Sequence, residues 1–165
     1  MPVPEFVAAL RSRVGHDLLW LPGVSGVVLD DGGRLLLGRR ADNGLWAVVS
    51  GILEPGEDPA VGLAREVLEE TGVDVVVEAL VAVTVTAPVE YPNGDRSQYL
   101  DLAFRCRATS PQAAARAHVA DDESTDVAWF APGDLPADLA PSSAERIGHA
   151  LRRPADGSEP PFFVR

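Results

Sequence analysis

Gly51-Ile52-Leu53-Glu54-Pro55-Gly56-Glu57-Asp58-Pro59, continuing through Arg65-Glu66-Val67-Leu68-Glu69-Glu70-Thr71-Gly72-Val73, is the stretch on which the reading of this chain turns. Asp58 suits an N-cap, and Pro59 suits the first helical position, where its missing N–H costs nothing. Gly72 suits the left-handed position that ends a helix. The spacing therefore predicts a helix from Pro59 to Thr71. On a wheel of about 100° per residue, Glu66, Glu69 and Glu70 share one arc, opposite Ala60, Leu63, Ala64, Val67, Leu68 and Thr71. Like charges three and four residues apart destabilise an isolated helix by about 0.2–0.5 kcal/mol per pair. Three of them imply either a solvated acidic face or a neutralising cation. Carboxylate oxygens with room for water are what Mg²⁺ prefers. For an acidic face alone the solvated reading comes first.

Working outward, Glu5 to Val14 reads as a short amphipathic helix with Phe6, Leu10 and Val14 at helical spacing. Val24 to Asp30 and Arg34 to Arg40 read as strands around an Asp31-Gly32-Gly33 turn. Trp46 to Val49 and Ile52-Leu53 are short strand candidates. Val73 to Val89 is rich in β-branched residues and reads as one long strand or two, returning through the Tyr91-Pro92-Asn93-Gly94 turn into Tyr99 to Arg107. Ser110 to Ala120 is a connection of small residues, Thr125 to Phe130 a strand and Ser142 to Arg152 a last helix. Hairpins with interspersed helices point to an α/β class, a mixed sheet covered by helices. Residues 1–19 are expected as a helical extension packing on a domain of residues 20–152, with 153–165, rich in Pro, Gly and Ser, as a flexible tail.

At 165 residues the chain suits one domain with a real core, and its 46% hydrophobic and 24% charged content is ordinary for a soluble protein. No apolar run is long enough to span a bilayer. The opening Met1-Pro2-Val3-Pro4-Glu5 lacks the pattern of a secretion signal, so a cytoplasmic protein is expected. The single Cys106 excludes a disulfide framework and reads as a buried small apolar residue. A net charge of −11 argues against nucleic-acid partners. It leaves room for an anionic small substrate if divalent cations bridge the two. All 14 basic residues are arginine and scattered, which reads as compositional bias before phosphate binding.

The quoted stretch resembles the Nudix box: Gly51, five residues, Glu57, seven residues, then Arg65-Glu66, an aliphatic Val67, one residue, Glu69-Glu70, one residue, Gly72 and an aliphatic Val73. The resemblance extends over residues 20–152 and implies the Nudix fold, an α/β/α sandwich, with Mg²⁺-dependent hydrolysis of the diphosphate bond of a nucleoside diphosphate linked to another group. Mn²⁺ is an expected substitute. Glu66, Glu69 and Glu70 match the family's metal-binding carboxylates, with the Gly51 carbonyl as a frequent extra ligand. Glu57 and Arg65 match positions that mainly brace the loop against the helix. Either Glu66 or Glu69 is implied as the base that takes the water's proton. The chain departs from the family's frequent Pro-Gly-Gly entry, carrying Val49-Ser50-Gly51, which implies altered loop geometry with activity retained.

Outside the box the alternatives stay open. Trp46 either stacks on a base or packs under the loop; Arg39 and Arg40 either reach a phosphate or form surface salt bridges. Tyr91 and Asn93-Gly94 form either a loop over the base or a plain hairpin turn. Glu123, after Asp121 and Asp122, is the choice for an extra carboxylate that members often supply there. His16, His118 and His149 are isolated and read as structural. Pro88, fifteen residues beyond the box, stands where family members carry a mark of ADP-ribose hydrolysis, and Tyr91 where others mark dinucleoside polyphosphates. ADP-ribose or a related nucleotide sugar leads narrowly, and cleaning of (d)NTPs is next. The rival from another class is a Nudix sensor that binds nucleotide without cutting it, which the intact glutamates disfavour. A homodimer is left open.

Overall fold

The computed structural model describes residues 4–165. Residues 1–3 of the expected N-terminal extension lie outside the described residues. The elements are α1 (Glu5–Val14), β1 (Leu19–Leu29), β2 (Leu35–Arg40), β3 (Trp46–Ala47), β4 (Val49–Ile52) and α2 (Pro59–Thr71). They continue with β5 (Val75–Val85), β6 (Val89–Glu90), β7 (Arg96–Ala108), α3 (Pro111–Ala114), β8 (Ser124–Phe130) and α4 (Pro141–Arg152).

The eight strands form one mixed sheet with the central order β3-β2-β1-β7-β5, while β4 pairs with β1, β6 with β7 and β8 with β2. β1 runs parallel to β7 along its whole length, from Leu19 opposite Ser97 to Leu29 opposite Arg107. Its other edge is shared by two antiparallel partners. β2 meets it at Leu29↔Leu35, and β4 from Gly23↔Ile52 to Gly26↔Val49. Because two strands divide one edge, β2 and β4 part company and a cleft opens between them.

Alternation along the strands buries both faces. Val24, Val28 and Leu36 face Leu63 and Val67 of α2, while Val27, Leu29, Leu35 and Leu37 face Ile147 and Ala150 of α4. At about 25 cal/mol per Å² of apolar surface removed from water, these two layers are the main stabilising term. Helices on both faces of a mixed sheet give the expected α/β/α architecture. No helix among the described residues is long and apolar enough to cross a membrane.

Three expectations are corrected. In α1 the buried residue is Val7, whereas Leu10 and Val14 are exposed. Beside Val7, polar contacts hold the segment: Arg11 donates to the carbonyl oxygen of Arg96 (2.6 Å), and His16, just past the helix, pairs with Asp95 (2.9 Å). β1 begins at Leu19 rather than Val24, so the domain starts at the end of the helical segment. Within residues 153–165, expected as a flexible tail, Phe162 returns to the sheet. Phe162 donates its N–H to the Val81 carbonyl (2.9 Å), accepts from Val83 N–H (2.8 Å), and stacks on His149 of α4 at 4.3 Å. A half-buried aromatic packed against an edge strand outweighs the loop-like composition around it.

Candidate active site

The box forms a loop, a helix and a second loop. Asp58 occupies the N-cap position with extended backbone, but its side chain makes no capping bond; its carbonyl accepts from Val61 and Gly62 N–H instead. Gly72 ends α2 in the left-handed conformation (φ 69°). The guanidinium of Arg65 grips Glu57 with two bonds, Nε to Oε1 at 2.9 Å and Nη2 to Oε2 at 3.0 Å. Glu57 Oε2 also accepts from Glu54 N–H at 3.1 Å, so the pair ties the loop to the helix. Arg65 holds the Glu57 carboxyl below its ordinary range. Its remaining nitrogen, Nη1, reaches Glu69 Oε2 at 3.0 Å and lies 3.2 Å from Glu66 Oε1.

The first box glycine has a steric reason. A Cβ at Gly51 would land on the carboxylate of Glu66, so only glycine lets β4 pass this close to α2.

The acidic face is not a solvated one. Glu66 is 0% exposed and Glu70 7%, together with Leu63, Val67 and Thr71, while Leu68 at 45% points outward. The helix is thus turned so that the seam between its acidic and apolar arcs faces the sheet, and Leu68, expected inside, is displaced. Among the described residues, the buried side-chain atoms without a hydrogen-bond partner are Glu66 Oε1 and Oε2, Glu70 Oε1 and His149 Nδ1. Arg65 is near Glu66 Oε1, yet it is not aligned to bond it. Burial pushes the Glu66 carboxyl up to about 7 against the pull of Arg65, and burial with the nearby Glu66 and Asp121 charges pushes Glu70 up to about 8. An orphaned buried carboxylate costs several kcal/mol unless something neutralises it.

Glu70 lines the cleft between β2 and β4, with Gly38, Arg40, Val49, Ser50, Glu123 and Ser124. The cleft holds about 20 Å³ of water-sized space, enough for one water or ion but not for a nucleotide. Glu123 arrives there by a contact remote in sequence. His118 N–H donates to the Thr71 carbonyl and Ala120 N–H to the Glu70 carbonyl, both at 3.1 Å. These bonds satisfy the open C-terminal end of α2 and lay the loop before β8 beside Glu70. Among the described residues no three His, Cys, Asp or Glu side chains already form a metal cluster. The orphaned oxygens of Glu66 and Glu70 nevertheless make a hard, all-oxygen donor set that fits a divalent cation such as Mg²⁺.

Other expected contacts divide. Arg40 enters the cleft, its guanidinium paired with Asp42 at 2.9 and 2.6 Å. Arg39, one residue back and on the other face, bonds the Gly44 carbonyl and Asp138. Trp46 is 8% exposed and meets Phe130 edge-on at 4.9 Å, so it is a core residue and base stacking is withdrawn for it. Tyr91 stays exposed on the β6–β7 hairpin, which turns at Gly94 (φ 85°). Ser124 and Tyr99 were not singled out from sequence; isolated small polar and aromatic residues in strands carry no motif. His118 bonds the Arg116 carbonyl and His16 bonds Asp95, both structural roles. A larger groove of about 420 Å³ lies by Arg34, Pro111 and Trp129, and no box residue lines it.

A pH dependence follows. Both carboxyls are raised in the folded protein above their ordinary 4.5, so the stability they allow is fully present below about 4.5 and is lost as pH rises through 7 and 8. In EDTA, wild type and Glu70→Gln should melt alike near about pH 5, and wild type should melt progressively lower than the variant towards about pH 8. A pH-independent difference would mean that Glu70 carries no buried charge.

A family model described as the NUDIX domain matches residues 19–150. A MutT-like protein of Streptomyces ambofaciens is 40% identical over 137 residues, 83% of this chain and 78% of the relative. A putative 8-oxo-dGTP diphosphatase of Bacillus subtilis (strain 168) is 30% identical over 129 residues, 78% of each. In fold, the MutT NUDIX hydrolase from Burkholderia pseudomallei superposes with a TM-score of 0.60 at 23% identity, covering 79% of this chain and 98% of that one. With the complete box, the braced loop–helix–loop and these matches in agreement, the chain belongs to the Nudix family of hydrolases, which act on phosphoanhydride bonds.

Proposed function

We propose that this protein is a Mg²⁺-dependent diphosphatase that releases a nucleoside monophosphate from small nucleotides, with nucleoside triphosphates as the leading substrate class. The observation that carries the reading is the pair of buried carboxylates with oxygens that accept no hydrogen bond, Glu66 beneath Gly51 and Glu70 lining the cleft. A cation there would neutralise both carboxylates and draw an anionic diphosphate to a protein of net charge −11.

Glu66 and Glu70 would hold the cation, with Glu69, Glu123 and the Gly51 carbonyl as further oxygens at the rim. When bound it lowers the pKa of water and offsets charge developing on the phosphate oxygens. The rest is done by the chain's own groups. Arg65 and Glu57 keep the loop rigid, so the carboxylates do not have to reorganise during the reaction. Glu69 is the better proton acceptor of the two candidates: its side chain is 53% exposed and can pass the proton to solvent, whereas Glu66 is sealed beneath Gly51. Arg40, at the mouth of the cleft, is placed to meet a phosphate after exchanging Asp42 for it.

Triphosphates lead because a relative aligned over most of both chains carries the name 8-oxo-dGTP diphosphatase. ADP-ribose is the second reading, favoured by Pro88 directly before β6. A panel of dNTPs, ADP-ribose and a dinucleoside polyphosphate, scored by kcat/KM with Mg²⁺, should rank the dNTPs first. ADP-ribose at the head of the panel would transfer the assignment to the second reading, and no turnover with any member would remove the enzyme reading.

A further inference from the structure

Tyr99 belongs to no motif, yet it joins the box to the hairpin. It lies on β7 opposite Leu21 of β1. A Cβ on Gly23 would touch Tyr99 Cβ and Cδ1 at 3.5 Å and the Gly51 carbonyl oxygen at 3.7 Å, so the base of its ring rests one strand from the first box residue. Its far end meets the hairpin, where the Tyr99 and Tyr91 hydroxyls are 2.6 Å apart. Tyr91 in turn lies within electrostatic reach of Arg40 and Asp42, and Arg40 lines the cleft with Glu70. Gly51, Tyr99, Tyr91, Arg40 and Glu70 are therefore linked as a chain of neighbours whose last two members line the cleft.

In this arrangement the polar end of Tyr91 is already engaged, by a partner on a central strand of the sheet. Tyr91 as a whole remains 37% exposed. A flat aromatic held in place by its own hydroxyl offers a stacking face without the entropy cost of ordering a mobile side chain. Every nucleobase has a π-face that suits such a platform. Asp42, within electrostatic reach of Tyr91, disfavours an anionic group at that wall.

We propose that Tyr99 is a positioning residue for substrate selection: its hydroxyl locks the Tyr91 ring as the wall on which the nucleobase of the substrate stacks. This rests on the diphosphatase reading above, and the base then lies on the hairpin side of the cleft while the phosphates lie at α2.

The test uses Tyr99→Phe, Tyr91→Phe and the double variant, each of which keeps the ring and removes only oxygen. Each single variant should raise KM for a dNTP by about three- to tenfold, the scale of one lost hydrogen bond, and leave kcat within about twofold. Because one bond joins the pair, the double variant should be no worse than either single one. Tripolyphosphate, which has no base, should inhibit all four proteins equally. Unchanged KM in both singles, additive losses, or an equal weakening of tripolyphosphate would overturn the proposal and make the pair scaffold. Calorimetric binding of a non-hydrolysable dNTP analogue separates the two levels. Wild type that binds the analogue yet turns over no dNTP removes the enzyme reading, while weaker binding of the analogue by Tyr99→Phe upholds the clamp. Wild type that binds no nucleotide overturns both.

Discussion

Glu70→Gln should lower turnover with saturating Mg²⁺ by at least about a hundredfold, the effect of losing one key electrostatic group in a preorganised site. The same variant should melt higher than wild type in EDTA at about pH 8. The two effects share one cause. Glu70 is 7% exposed, beside a second buried carboxylate and with one oxygen unbonded. Glutamine keeps its shape and removes its charge, so the folded protein is relieved while the cation loses a ligand. Thermal melting with and without Mg²⁺ should therefore show the ion's stabilisation shrinking in the variant. Glu69→Gln offers the contrast. Its side chain is half exposed, so turnover should fall while the stability in EDTA hardly changes. A Glu70→Gln protein that is both active and no more stable would show that its charge serves neither purpose.

Gly51→Ala is the second large effect. The added methyl occupies the place of the Glu66 carboxylate, and neither partner can easily yield. Glu66 is buried in α2, and Gly51 is paired with Val24 of β1. Overpacking of this kind costs about 1–3 kcal/mol. Turnover should fall at least about tenfold further than stability explains, because a displacement near 1 Å in a reacting site is costly. Gly133→Ala is the control. Nothing lies within 4 Å of a Cβ there, and the change in stability should stay within about 0.5 kcal/mol. If Gly51→Ala behaves like Gly133→Ala, the close approach of β4 to α2 is not needed.

The limits of α2 were legible because Asp58-Pro59 and Gly72 are local signals, and the structure starts and ends the helix on the expected residues. Which of its faces is buried was not, since a wheel assigns charge outward. Here two glutamates replace apolar residues against the sheet, and this is the kind of local rule that functional sites break. β1 was read short because Pro22 and Gly23 look like a break. In the sheet Pro22 offers only its carbonyl, to Leu53 N–H at 3.2 Å, and loses nothing by lacking a donor. Glu123 was named from a resemblance, but its position beside Glu70 depends on His118 and Ala120 bonding the carbonyls of a helix almost fifty residues earlier. Tyr99 pairs with Tyr91 through a hydroxyl contact across a hairpin, which no linear pattern announces. Phe162 was hidden by its neighbours: Pro160 and Pro161 read as a tail, and only the fold shows the β5 edge that they deliver it to.

The most direct test of the central claim, that the buried box carboxylates exist to hold a cation for diphosphate cleavage, is chromatography of the products formed from a dNTP by wild type and by Glu66→Gln/Glu70→Gln. The expected result is a nucleoside monophosphate with wild type and Mg²⁺, none in EDTA, and none above background with the double variant in a folded state. Monophosphate formed at wild-type rate in EDTA, or by the folded double variant, would contradict the account.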